Sequence, residues 1–135
     1  MNRFLFPLQN PEHLPLFKLL IESIGNIGVT FEYKIQYKPR GIAESLILAE
    51  NFLNGCPCAL ILGDNLFYGN GFSNLLEEAN EADLGAQIFS YKVKKPNNYG
   101  VLKFNKDHKV VSIVEKPKIF VSNLAVTGLY FYNTD

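Results

Sequence analysis

The sequence predicts an α/β fold: a mixed sheet with flanking helices, and with antiparallel strands near the C-terminus. Three observations predict it. Stretches of helical period alternate with stretches of strand period through the first two thirds of the chain. A continuous apolar run, CALILGDN, closes on Gly-Asp-Asn, as a central strand buried on both faces would. Near the C-terminus, strand-like segments follow one another with only polar turns between them.

The elements follow in order. Pro11-Glu12 opens HLPLFKLLIESIG, whose apolar positions fit a helix ending at Gly25 or Gly28. In VTFEYKIQ, Val29, Phe31, Tyr33 and Ile35 alternate with polar residues, which makes residues 29–36 a strand. YKPRG is a loop. IAESLILAENFL is a helix that stops near Asn54-Gly55, and residues 58–63 are the buried strand. Residues 72–82 form an amphipathic helix with Ser73 as its cap. AQIFSYKV, then YGVLKFN and VVSIVEKP around the turn KDHK, and finally NLAVTGLYFY complete the strands.

Composition narrows the functional classes. Of 135 residues, 47% are hydrophobic and 19% charged, too apolar a balance for disorder. Thirteen basic side chains meet thirteen acidic ones, and a neutral chain is a poor binder of nucleic acid. No apolar run approaches the roughly 20 residues of a membrane span, and the first residues lack the pattern of a signal peptide. Cys56 and Cys58 are too close for an ordinary disulfide or a zinc clip, so they read as reduced core residues of a cytoplasmic protein. The charge is uneven. Residues 92–135 hold eight basic residues, all Lys, against three acidic ones, and residues 1–91 hold five against ten. Most of those lysines read as a solvated surface, with one or two free to face an anionic substrate.

Four short segments could carry chemistry. Asp64 directly follows an apolar strand, the edge at which open α/β sheets bind ligands. A carboxylate there suits Mg²⁺, and it equally suits a turn, since Gly-Asp-Asn is ordinary turn chemistry. Lys38-Pro39-Arg40-Gly41 joins a strand to a helix, where a glycine admits a close ligand and a helix start offers free N–H groups. Taken alone it is a plain loop. Glu115-Lys116-Pro117 could bind sugar hydroxyls and phosphate, or form an exposed ion pair of little consequence. Tyr99-Gly100 starts a strand and could admit a sugar ring, or simply end a turn. His13 and His108 belong to a helix start and a polar turn, and no Ser-His-Asp set or HExxH is present.

Together these segments resemble a known family. LGDNLFYGNGF, NNYGVLKFN, VSIVEKP and SNLAVTGLYFY stand in the order and spacing of the glucose-1-phosphate thymidylyltransferases, members of the sugar nucleotidyltransferases. PEHLPLFKLL, FEYKIQYKPRGIAES and LILAENFL are similar to the same family, so the resemblance runs from about residue 10 to residue 135 and leaves residues 1–9 unmatched. It implies a nucleotidyltransferase-type, Rossmann-like fold. It implies an enzyme that joins dTTP and glucose 1-phosphate into dTDP-glucose, releases pyrophosphate and uses Mg²⁺. It also implies a cytoplasmic homotetramer that supplies deoxysugar synthesis for surface polysaccharide, such as a rhamnose branch. By position, Gln36 resembles the residue that reads the thymine base, and Gly41 the glycine against the nucleotide. Asp64 resembles the metal-binding aspartate, Asn65 its neighbour at the sugar, and Lys116 the lysine that holds the sugar phosphate. Gly100, Glu115 and Val126 resemble sugar contacts, with Tyr99 and Thr127 lining the same pocket.

There are departures from the family pattern. A glycine-rich phosphate loop of the form L-A-G-G-x-G-T-R-L is absent from these residues, as is a second metal-binding aspartate in a G-E-L-E-I-T-D segment. Tyr37, Arg40, Glu44 and Ser45 differ from the common pattern around Gly41. Without a first strand, the strands at 29–36 and 58–63 are expected to flank a gap or pair directly, leaving apolar groups uncovered. The expectation is a piece of the enzyme, truncated at both ends and inactive alone. The alternatives are a nucleotide-sugar-binding module without turnover, or a nucleotidyltransferase that uses UTP.

Overall fold

The computed structural model describes residues 2–25, 27–38, 40–81 and 85–133. It divides into two compact units, residues 1–55 and 56–135.

The first unit is built on a parallel pair of strands. Strand β1 (Asn2–Leu8) runs beside β2 (Val29–Ile35) in register from Asn2 opposite Val29 to Leu8 opposite Ile35. A parallel pair needs a crossover, and helix α1 (Leu14–Ser23) supplies it. A short 3-10 turn leads into α1, its start capped by Asn10, whose Oδ1 accepts the Glu12 N–H at 2.9 Å. Gly25, at φ +77°, ends the helix. Alternation in β1 sends side chains to two faces. On one, the Phe6 ring lies 5.8 Å from Tyr33 and 6.2 Å from Phe17 of α1. On the other, Arg3 stands 4.2 Å over Phe52 of helix α2 (Ala43–Leu53), donates to the Phe52 carbonyl at 2.8 Å and pairs with Glu32 at 2.8 Å. The pair of strands is therefore covered by one helix on each face. Leu8 and Ala49 are the buried apolar residues here, while Leu16, Leu19, Leu20 and Ile24 of α1 and its end remain exposed.

The second unit is an antiparallel sheet organised around its last strand. β7 (Leu124–Tyr132) pairs with β4 (Ala86–Lys92) along one edge. Its other edge is shared. β3 (Cys58–Ile61) pairs with its C-terminal half, from Cys58 opposite Tyr132 to Ile61 opposite Leu129. β5 (Gly100–Phe104) joins lower down, at Val101 opposite Ala125, and carries β6 (Val110–Glu115) outside it. In the β5–β6 turn, Asn105 Oδ1 accepts the N–H groups of Asp107 and Lys109. Helix α3 (Phe72–Glu81) is tied to the sheet where Gln87 Nε2 donates to the Ala79 carbonyl at 3.3 Å. Val101, Ala125, Leu129 and Ala79 form the buried centre with Leu102.

The α/β class and the mixture of parallel and antiparallel pairing agree with the sequence, and several details do not. Residues 2–8, assigned to no element from sequence, form β1 and give β2 its partner. The expected choice between a gap and a direct pairing of the strands at 29–36 and 58–63 therefore does not arise: β2 pairs with β1, and β3 with β7. β3 is not buried on both faces, for Ala59 and Ile61 are exposed in alternation with Cys58 and Leu60. Ser73 lies inside α3 and does not cap it. Cys56 is exposed, and burial pushes the half-buried Cys58 thiol up from its ordinary value. Pro39 of the 38–41 loop lies outside the described residues.

Candidate active site

Sheet register in the second unit sets three of the candidate residues on one face. Glu115 of β6 lies opposite Gly100 of β5. The antiparallel pairing of Val101 with Ala125 then sets Gly100 beside Val126 of β7. Glu115, Gly100 and Val126 thus form one row across three strands, with side chains on a common face. The row has no side chain at its middle. A Cβ on Gly100 would stand 2.9 Å from Glu115 Oε2 and 3.3 Å from Ile113 Cγ2, so the Glu115 carboxylate lies over the glycine.

Two residues further along β7, Gly128 makes a second gap in the side-chain layer, closed by the Asp64-Asn65 turn. β3 stops at Ile61, yet its ladder continues: the Leu62 N–H donates to the Gly128 carbonyl at 2.8 Å. The Gly128 N–H then donates to Asn65 Oδ1 at 2.9 Å, so a side chain takes the place of the next strand residue. Asn65 Nδ2 donates in turn to Asp64 Oδ1 at 2.7 Å. A Cβ on Gly128 would fall 2.7 Å from Asn65 Nδ2 and 2.8 Å from Leu62 Cβ, which leaves no room for any other residue. Asp64 is exposed, and one of its oxygens takes the Asn65 amide, leaving Oδ2 open to solvent.

β7 is irregular at this point. Opposite β4, three residues from Thr127 to Leu129 stand against Phe89 alone. Such bulges re-aim side chains at sites. Thr127 Oγ1 is buried here with no hydrogen-bond partner.

The remaining candidates lie at the end of the Glu115 row. The Lys116 N–H donates to the Tyr99 carbonyl at 3.0 Å, joining the two segments. Lys116 sits in the left-handed region at φ +41°, a conformation that costs a non-glycine residue about 1 kcal/mol. Its Nζ is 3.9 Å from Glu115 Oε1, and both side chains are largely exposed. Tyr99 is exposed as well. Sequence reasoning missed Tyr130. Burial, and then the Glu115 carboxylate, push its phenol up from the ordinary value, which sets it near the row. The period-two alternation of NLAVTGLYFY was the available signal, for it puts residues 126, 128 and 130 on one face.

Gln36 and Gly41 belong to the first unit. Gln36 extends β2 by one residue, its N–H donating to the Leu8 carbonyl at 2.8 Å, and its side chain is buried. Nε2 donates to Glu44 Oε2 at 2.6 Å. Gly41, at φ +97°, adopts a conformation that favours glycine, and the space a Cβ would take is open.

A sequence profile of the nucleotidyl transferase family matches residues 5–135. The chain belongs to that family. The match reaches into residues 1–9 and includes most of β1. The nucleotidyl transferase chain is 42% identical over 123 residues to the glucose-1-phosphate thymidylyltransferase of Neisseria meningitidis, covering 91% of this chain and 43% of the relative. It is 40% identical over 126 residues to the enzyme of that name from Xanthomonas campestris pv. campestris, covering 93% and 43%. It thus spans less than half the length of either relative. Among solved structures, a Bacillus anthracis protein described as a glucose-1-phosphate thymidylyltransferase, in complex with sucrose, aligns with a TM-score of 0.79 at 32% identity, over 98% of this chain and 52% of that one. A UTP-bound UGPase of Acinetobacter baumannii shares the fold, with a TM-score of 0.68 at 24% identity over 91% and 48%.

Proposed function

We propose that this nucleotidyl transferase chain carries the sugar-phosphate side and the base-reading side of a reaction that makes dTDP-glucose and pyrophosphate from dTTP and glucose 1-phosphate. The observation that carries the reading is the row Glu115–Gly100–Val126 together with the Asn65-closed gap at Gly128. It sets the Glu115 carboxylate over Gly100 and the Asn65 amide over Gly128, hydrogen-bonding groups of the kind that hold sugar hydroxyls. The thymidylyltransferase relatives at 40–42% identity support the nucleotide and the sugar.

In this mechanism a phosphate oxygen of glucose 1-phosphate attacks the α-phosphorus of dTTP in line. The new O–Pα bond forms as the bond from Pα to the bridging α–β oxygen breaks, and pyrophosphate leaves with that electron pair. No protein nucleophile is required, so the residues position substrates and balance charge. Glu115 and Asn65 hold sugar hydroxyls, with Val126, Thr127 and Tyr99 shaping the pocket. Lys116 draws the attacking phosphate by its charge. Gln36 reads the base, and Gly41 leaves room for the nucleotide against the main chain. Asp64 fits a magnesium ion, since it offers an exposed carboxylate oxygen and Mg²⁺ takes one or two carboxylates plus phosphate oxygens. Bound there, Mg²⁺ would supply positive charge to phosphate oxygens. Among the described residues no group of three His, Cys, Asp or Glu side chains is placed to hold a metal ion, so Asp64 would bind it together with substrate phosphate oxygens.

No helix among the described residues is long and apolar enough to cross a membrane. The two free cysteines support a cytoplasmic setting.

The test is pyrophosphate release by the purified chain with dTTP, glucose 1-phosphate and Mg²⁺, against an Asp64→Ala control. Release above that control supports catalysis by these residues. A second reading is a nucleotide-sugar-binding module without turnover. It predicts calorimetric binding of dTDP-glucose with no release. Competition between dTTP and UTP separates the thymidylyl reading from a uridylyl one.

A further inference from the structure

Gln36 is a buried polar residue, 7% exposed, at the carboxyl end of the parallel strand pair. Its amide has two chemically different ends, and the structure commits one of them. Nε2 donates to Glu44 Oε2 at 2.6 Å. An ionised carboxylate accepts only, so a flipped amide would set two acceptors against each other. The orientation is therefore dictated by chemistry. Glu44 is itself held: the Arg40 N–H donates to the same Oε2 at 3.3 Å, and Arg40 Nε lies 3.9 Å from Oε1. It also sits in the first turn of α2, where the helix dipole favours a carboxylate. Gln36 Oε1 accepts no hydrogen bond among the described residues. It is not sealed off either, since Thr127 Oγ1 alone among them is a buried side-chain polar atom without a partner.

We propose that Glu44 is a positioning residue: it locks the Gln36 amide with its oxygen as the free end, so that the base pocket selects a pyrimidine bearing an N3–H donor. The proposal rests on the nucleotide reading above and goes beyond it by naming what sets the base preference. Thymine and uracil carry a proton on N3, which Oε1 can accept. Cytosine has a lone pair there, so binding it would leave two facing acceptors unpaired. The selection is between keto and amino pyrimidines. It does not separate thymine from uracil, which differ only in a methyl group.

The test uses the whole chain, labelled with ¹⁵N, and its Glu44→Gln and Glu44→Ala variants. The Gln36 side-chain NH₂ signal is assigned by its loss in Gln36→Glu. In the parent chain this signal should exchange slowly with water, and in Glu44→Ala it should exchange as fast as exposed amides. In Glu44→Gln the partner offers both a donor and an acceptor, so both orientations become available. Titration calorimetry should find dTTP bound at least about 10-fold more tightly than dCTP by the parent chain. That ratio should fall below about 3-fold in Glu44→Gln, which retains its circular dichroism, because each orientation is then populated. Slow exchange that persists in Glu44→Ala overturns the lock. An intact lock with dTTP and dCTP bound alike overturns the proposal and leaves nucleotide binding standing. An intact lock with neither nucleotide bound overturns the nucleotide reading, and the proposal falls with it.

Discussion

Asn65 stands in for a strand residue at Gly128. Its Oδ1 accepts the Gly128 N–H at 2.9 Å where the β3 backbone has already turned away. Its Nδ2 holds Asp64 Oδ1 at 2.7 Å, so one amide ties the sheet to the proposed metal ligand.

Asn65→Ala should therefore weaken fold and site together. It leaves the part-buried Gly128 N–H without an acceptor, a loss of about 1–3 kcal/mol. The denaturant midpoint should fall, and binding of glucose 1-phosphate should weaken because Asp64 loses its tether.

The two glycines should respond differently to alanine. At Gly128 the new Cβ meets the Asn65 amide and Leu62 Cβ, which are held in place, so overpacking should cost about 1–3 kcal/mol. At Gly100 it meets the tip of Glu115, an exposed side chain that can swing away. Gly100→Ala should melt close to the parent chain and lose sugar binding, while Gly128→Ala should lose melting temperature. Thermal melts with a sugar-phosphate titration separate the two.

Alkaline pH should destabilise the second unit through Tyr130 and Tyr132. Burial raises both phenols, Glu115 adds to the rise at Tyr130, and the charges of Tyr130 and Cys58 add to it at Tyr132. The folded state thus keeps these protons at a pH where the unfolded chain has begun to lose them. Their contribution is full below the ordinary tyrosine value of about 10 and is lost as pH rises through the folded values. Tyr130→Phe should flatten the fall. Glu115→Gln should lower the Tyr130 titration toward the ordinary value, as read by tyrosinate absorbance.

Cys56 and Cys58 should separate under alkylation. Cys56 is exposed, whereas Cys58 is half-buried and its thiol is pushed up by that burial. At neutral pH iodoacetamide should label Cys56 first, and peptide mass spectrometry of a time course reads the order.

Legibility from sequence followed the strength of local signals. β2, α2 and β4–β7 carry clear periods and turn residues, and all lie within a residue or two of their expected places. β1 was missed because Pro7 interrupts RFLFPL, and proline argues against a strand interior unless its missing N–H falls where no ladder bond is needed. The continuous run at β3 suggested burial on both faces, but its partner β7 and the alternating exposure of Ala59 and Ile61 show a strand with one open face. At the site, Glu115, Gly100 and Val126 are each weak signals in isolation. What unites them is register across β6, β5 and β7, which no local pattern encodes. Glu44 was visible only as a departure from a family pattern, since its bond to Gln36 depends on how α2 returns over the strand end.

The central place of β7 also bears on how the chain is made. β3, β4 and β5 all pair with it, and it follows every one of them in the sequence. During synthesis, residues 58–104 have no completed sheet to enter until residues 124–132 have left the ribosome. Until then the strand edges of Cys58–Ile61 and Ala86–Lys92 stand unpaired, and chaperone contact or aggregation during translation should concentrate there, while the β1–β2 pair upstream, already emerged, can close on its own.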